Sequence, residues 1–274
     1  MSRQAGGSSG QGLADFVRRH DPDRFLTALF APPPRRETLF VLYAFNHELA
    51  RAIEVASQPM LALIRLQWWR EVVEGTRKRH EVADPLSDAL AAGALDAADL
   101  LALIEARETE IAAMGSETAE AEPIATVADW QAWLRAGAGG VSVAAARALE
   151  APDAEALRPY GVAYGAAGVL RTVKLLARRG RCLLPADALA AHGLTPADVI
   201  AAPDTAALRE VLAELAAVTL TALPAPARLP PEVIAAALPA VLARRDLRRV
   251  QRDIQPRGLA DRLAVIWAGL RRRV

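Results

Sequence analysis

The chain has one cysteine, Cys182, in 274 residues. That excludes an intramolecular disulfide framework and suits a reducing compartment. Lysine is almost absent: Lys78 and Lys174 are the only two among 33 basic residues. No run of about 18 uncharged apolar residues occurs, so no transmembrane helix is expected. The opening stretch, MSRQAGGSSGQG, lacks the apolar centre of a secretory signal. Its Gly/Ser-rich composition predicts a disordered tail over 1–12, ahead of one domain over 13–274. No period-two pattern longer than four residues is present, which argues against a sheet, and no fixed repeat suggests a solenoid. Gly137, Gly139 and Gly140 follow no predicted strand, so a dinucleotide-binding loop is excluded. His47-Glu48 lacks the second histidine of a zinc-protease helix.

What remains is rich in alanine, leucine and arginine, with apolar positions at helical spacing. The pattern predicts helices over Leu13–Phe30, Arg36–Ala56, Pro59–Arg79, Asp84–Ala92 and Asp96–Met114. A polar linker over Ser116–Pro123 follows. Thr126 and Asp129 form a capping box for a helix to Leu149. A long helix spans Asp153–Arg179, with a short helix from Pro185 to Gly193, another starting at Thr195-Pro196, and further helices near 205–222, 231–254 and 258–272. An all-α bundle is expected. Net charge is +1 but uneven. Residues 81–160 carry 15 acids and 4 bases, whereas residues 228–274 carry 11 arginines and 4 acids. The basic end, Leu270-Arg-Arg-Arg-Val274, reads either as a solvated helix end or as a contact with anionic lipid or an acidic protein. Nothing suggests nucleic-acid binding.

Residues 159–185 read PYGVAYGAAGVLRTVKLLARRGRCLLP. They resemble the second signature of the squalene/phytoene synthase family, roughly LRDVxEDARRGRxYLP, with Leu170-Arg171, Ala177–Arg181 and Leu184-Pro185 as the surviving frame. Residues 24–55, centred on Leu42-Tyr43-Ala44-Phe45, resemble the first signature. Ile64–Arg70 is similar to the RLxWWR segment between them, and Glu105–Glu110 to a short acidic helix stretch. The resemblance implies an isoprenoid-synthase-like bundle around a central cavity. It also shows what is missing. The acidic slots of the first signature hold Ala50, Arg51 and Glu54. Those of the second hold Thr172, Leu175 and Leu176.

The family's two aspartate-bearing helices face each other and gather magnesium, which holds a substrate diphosphate. Carboxylates four apart on a helix share a face, and magnesium favours such hard oxygen ligands. Here the resemblance leaves Tyr43, Arg51, Arg171, Lys174, Arg178, Arg179 and Arg181 as binding candidates, because arginine forks match phosphate oxygens. A helix-end charge cluster explains Arg178, Arg179 and Arg181 equally well. No catalytic residue and no resident cofactor are expected, magnesium entering only if the chain turns over diphosphates. Asn46–Ala50, Pro59–Trp69 and Arg181–Asp187 with His192-Gly193 are similar to the branch that includes a mitochondrial complex I assembly factor. Three readings follow. One is a non-catalytic protein that meets a respiratory-complex subunit. One is a carrier of an isoprenoid or diphosphate ligand. One is an active prenyltransferase condensing two isoprenyl diphosphates at an altered metal site. The first implies a cytoplasmic, bacterial-type chain, peripheral at the inner membrane.

Overall fold

In the computed structural model, residues 7–56, 58–112, 123–250 and 257–274 are described. The expected linker over Ser116–Pro123 lies almost wholly outside them, as do the last residues of the helices expected to reach Met114 and to span 231–254. The described residues form α-helices without a sheet: α1 Gly7–His20, α2 Pro22–Ala28, α3 Pro33–Glu54, α4 Pro59–Val73, α5 Ala83–Ala91, α6 Ala97–Ala112, α7 Val127–Ala136, α8 Ala138–Ala148, α9 Arg158–Arg178, α10 Ala186–Ala190, α11 Pro196–Ala201, α12 Ala206–Ala222, α13 Ile234–Ala237, α14 Pro239–Leu247 and α15 Leu259–Arg271. Helix α1 opens at Gly7, ahead of the expected Leu13.

Three expected helices are divided, each for a local reason. Leu13–Phe30 breaks at Asp21, whose carboxylate accepts from the Arg24 backbone N–H at 3.0 Å while Pro22 occupies the first turn of α2. Thr126 and Asp129 do form a capping box, but the helix they start stops at Gly137, where α8 begins. The stretch from 231 breaks before Pro239, which has no N–H to continue α13. The expected start at Asp153 is instead a 3-10 turn, Glu155–Leu157, leading into α9.

Helix α9 is the hub and packs on α7, α8, α12 and α14. Its contact with α8 depends on missing side chains. A Cβ on Gly161 would lie 2.4 Å from the Ala138 carbonyl oxygen, and one on Gly165 would lie 2.4 Å from Ala138 Cβ. Helix α3 is buried along most of its length, with Leu39, Leu42, Phe45 and Leu49 inaccessible to solvent. Among the described residues the one extended pairing is an antiparallel bridge between Arg228 and Arg273.

Two glycines on α9 are therefore expected to answer differently to the same change. Gly161→Ala forces α8 and α9 apart and should lower stability by about 1–3 kcal/mol. Gly168 has nothing within 4 Å of an added Cβ, so Gly168→Ala should raise stability by about 0.5–1 kcal/mol through helix propensity alone. Urea unfolding midpoints check both.

Candidate functional site

A cavity of about 310 Å³ lies between α3, α6, α9 and the α7–α8 junction. The α3 wall is Asn46, Ala50 and Glu54, spaced four apart so that one face looks inward. The α9 wall is Tyr164, Gly168, Thr172 and Leu176, again four apart, with Gly165 and Val169 beside them. The two sets of degraded positions thus look into one space: Ala50 and Glu54 from α3, Thr172 and Leu176 from α9. Helix α6 adds Ala106, Arg107 and Glu110, the α7–α8 junction adds Trp133, Leu134, Gly137 and Ala138, and Arg181 and Leu183 lie beyond the end of α9.

The charges on this wall are already spent on one another. Glu110 is buried and accepts from Arg107 at 2.8 Å and from Arg181 at 2.6 Å. Burial alone would raise the Glu110 carboxyl, but the two guanidinium groups outweigh it and hold its pKa below the ordinary value. Arg107 also reaches Asn46 Oδ1 at 3.5 Å. Glu54 stands 3.7 Å from Arg179. The Thr172 hydroxyl donates to the Gly168 carbonyl at 2.9 Å, its own helix satisfying it.

The inner end is built around Arg24 of α2. Its guanidinium is buried over the Tyr164 ring at 4.9 Å and the Tyr43 ring at 5.5 Å, and pairs with Asp21 at 3.1 Å. Burial pushes the Tyr43 hydroxyl up to about 12, although Arg24 pulls the other way. The Tyr164 hydroxyl approaches Asp23 at 3.4 Å, and a chain of pairs runs onward through Arg257 and Asp246 to Arg171.

The Squalene/phytoene synthase family profile matches residues 17–265. The chain belongs to that family. Over 230 residues it is 24% identical to the complex I assembly factor 6 of NADH dehydrogenase (ubiquinone) from Rattus norvegicus, covering 79% of this chain and 67% of that protein. Over 60 residues it is 35% identical to the Homo sapiens protein of that name, covering 22% of this chain and 18% of that protein, so this match spans less than a fifth of the human relative. Two crystal structures share the fold. A dehydrosqualene synthase in complex with a ligand superposes with a TM-score of 0.76 at 13% identity, covering 96% of this chain and 95% of that one. The squalene synthase HpnC from Alicyclobacillus acidocaldarius gives 0.64 at 17% identity, covering 95% and 92%.

Set against the squalene/phytoene synthase signatures, the candidates scatter. Of the seven binding candidates only Arg181 lines the cavity. Tyr43 is buried behind Arg24. Arg51 sits one residue round the helix from Ala50 and therefore faces a second cleft, of about 300 Å³, with Glu48, Arg65, Trp68, Trp69 and His80. Arg171 pairs with Asp246 at 3.0 Å and Lys174 with Asp204 at 3.1 Å. Arg178 is exposed and Arg179 meets Glu54. Leu175 points outward, 44% exposed. Glu48 lies in the Arg51 cleft, and Asp187 caps α7 through the Val127 N–H. The cavity's own polar residues, Asn46, Arg107, Glu110 and Tyr164, are not among the sequence candidates, although the acidic stretch Glu105–Glu110 holds two of them and the Asn46–Ala50 pattern a third. Tyr164 and Arg24 lie inside the stretches that resemble the two signatures, but at none of the frame positions quoted for them.

The donor set does not fit a magnesium cluster. Ala50 and Leu176 offer no side-chain oxygen, Thr172 offers only a neutral hydroxyl, and both cavity carboxylates face arginine. Among the described residues no group of three or more His, Cys, Asp or Glu side chains is disposed to hold a metal ion.

The Glu110 cluster makes a pH prediction. A carboxyl whose folded pKa lies below its unfolded one contributes fully above the unfolded value, about 4.3 for Glu. That contribution drains away as pH falls through the folded value. Glu110→Gln leaves the part-buried Arg107 and Arg181 guanidinium groups without their anion and should cost about 3 kcal/mol at neutral pH. The gap between wild type and Glu110→Gln should narrow as pH falls below about 4, as read from urea unfolding at stepped pH.

Proposed function

We propose that this chain is a non-catalytic squalene/phytoene synthase-like protein that acts in the assembly of respiratory complex I, with a cavity that holds an isoprenoid tail rather than turning over diphosphates. The observation that carries the first half is the wall just described. Diphosphate departure needs its developing charge neutralised, and in metal-assisted transfer the cation supplies that stabilisation. Here the helix faces that would gather cations present alanine, leucine and a self-bonded threonine, and the remaining acids are tied to Arg107, Arg181 and Arg179. The similarity to complex I assembly factor 6 supports the partner class. The apolar lining by Ala50, Ala106, Trp133, Leu134, Val169 and Leu176 supports a hydrocarbon occupant. Direct anion binding is left to Arg181 and Arg107, each engaged by Glu110, so a diphosphate head is disfavoured there. The site works without a resident magnesium, at the inner face of a bacterial-type membrane.

The second reading, a prenyltransferase with an altered metal site, draws on the fold and the retained cavity. Purified protein given farnesyl diphosphate and magnesium separates them. No pyrophosphate release above the uncatalysed rate is expected, and turnover at enzyme-like rates would establish the second reading. In the source cell, a deletion strain should lose NADH:quinone reductase activity while keeping normal isoprenoid levels.

Reinstating acids tests the wall itself. Ala50→Asp, Thr172→Asp and Leu176→Asp together place carboxylates beside Glu54 on facing helices. The triple variant should bind magnesium at least about tenfold more tightly than wild type, measured by calorimetry, whether or not turnover appears.

A further inference from the structure

Helix α15 is built inside out. Its inward face is small, with Val265, Ala268 and Gly269 buried. A Cβ on Gly269 would meet the Phe30 ring at 2.4 Å, so the helix axis lies close against the body. The large side chains point the other way. Leu259, Leu263, Ile266, Trp267 and Leu270 are all exposed, Leu259 by 73%, Trp267 by 58% and Leu270 by 71%. Their spacing, i, i+4, i+7, i+8 and i+11, puts them in one arc of about 100°. Arg262 projects from one side of this arc by helical geometry and Arg271 from the other, its guanidinium lying 4.0 Å over the Trp267 ring. The helix has one acid, Asp261, which is occupied by Arg245 at 2.8 Å. Beyond the helix, residues 272–274 are pinned by backbone bonds to 227–229: Leu229 N–H to the Arg272 carbonyl at 2.8 Å and Ala227 N–H to the Val274 carbonyl at 2.9 Å. The apolar face is thus rigidly presented rather than hanging free.

We propose that α15 is an interfacial anchor that lays this face into an anionic lipid bilayer. The charge pattern chooses this occupant. Arginines on both flanks of an apolar arc match headgroup phosphates above a hydrocarbon layer, and a tryptophan in the arc suits the headgroup level. A second copy of the chain is the poorer match, because its own α15 would bring arginines against arginines with no acid on the face to meet them. At 13 residues, α15 is about 20 Å long, too short to span a bilayer. It lies in the plane of the surface. This goes beyond the assembly reading and does not rest on it, since purified chain and vesicles suffice to test it.

The full chain is sedimented with phosphatidylcholine vesicles that contain or lack phosphatidylglycerol. It should pellet with the anionic vesicles and be released by salt. Leu263→Ser, Trp267→Ser and Leu270→Ser together should lower partitioning about tenfold or more with the thermal midpoint unchanged. A folding-neutral check uses bromine-labelled lipid. Wild-type tryptophan fluorescence should be quenched, and Trp267→Phe should remove that quenching while binding persists. The proposal is overturned if wild type stays in the supernatant, if the triple variant binds equally, or if Trp267→Phe quenches as wild type does. A dimer that the triple variant dissociates, without vesicle binding, would assign the face to a second copy instead.

Discussion

A carboxylate buried between two guanidinium groups decides what this cavity can do. Glu110 of α6 meets Arg107 on its own helix and Arg181 just beyond α9, so the same contact ties α6 to the end of α9 and neutralises a buried acid of the cavity wall. Taking Glu110 away leaves two guanidinium groups there without their shared counter-charge, which is costly. The charge of Glu110 is met from within the chain. Glu54 of α3 likewise stands 3.7 Å from Arg179 at the end of α9.

The scaffold around that contact is held by close packing and by ion pairs. Glycines at 161 and 165 let α8 lie against α9, and this close approach sets the distance across the cavity. Arg24 fills the inner end, stacked between two tyrosines and joined through Asp23, Arg257 and Asp246 to Arg171. Those pairs bind α2, α9 and α14 together. Packing and ion pairs away from the α3 and α9 faces thus maintain the shape of the cavity, whatever side chains those faces present.

How far the sequence could be read follows from the range of each interaction. The facing of Ala50 and Glu54 toward Thr172 and Leu176 was legible, because a four-residue step fixes a helix face and the motif frame fixed the register. The placing of Arg51 was not: it is adjacent to Ala50 in the chain but about 100° away round the helix, and it turns to Trp68 and His80. The breaks at Asp21 and Gly137 were hidden inside strongly periodic stretches, where a local cap or a glycine at a close crossing outweighs propensity. Glu110, Arg24 and Tyr164 were missed as site residues because part of what each meets lies far along the chain: Arg181 is 71 residues from Glu110, and Asp23 is 141 from Tyr164. Periodicity marks a face as apolar or polar; it does not say which polar residue another helix will meet.

The most direct test of the central claim is anomalous diffraction from crystals soaked with manganese and a non-hydrolysable farnesyl diphosphate analogue, manganese standing for magnesium. No anomalous peak should appear between the α3 face of Ala50 and Glu54 and the α9 face of Thr172 and Leu176, with Glu110 still bonded to Arg107 and Arg181. Ordered manganese ions there, bridging protein oxygens to the diphosphate, would contradict the account.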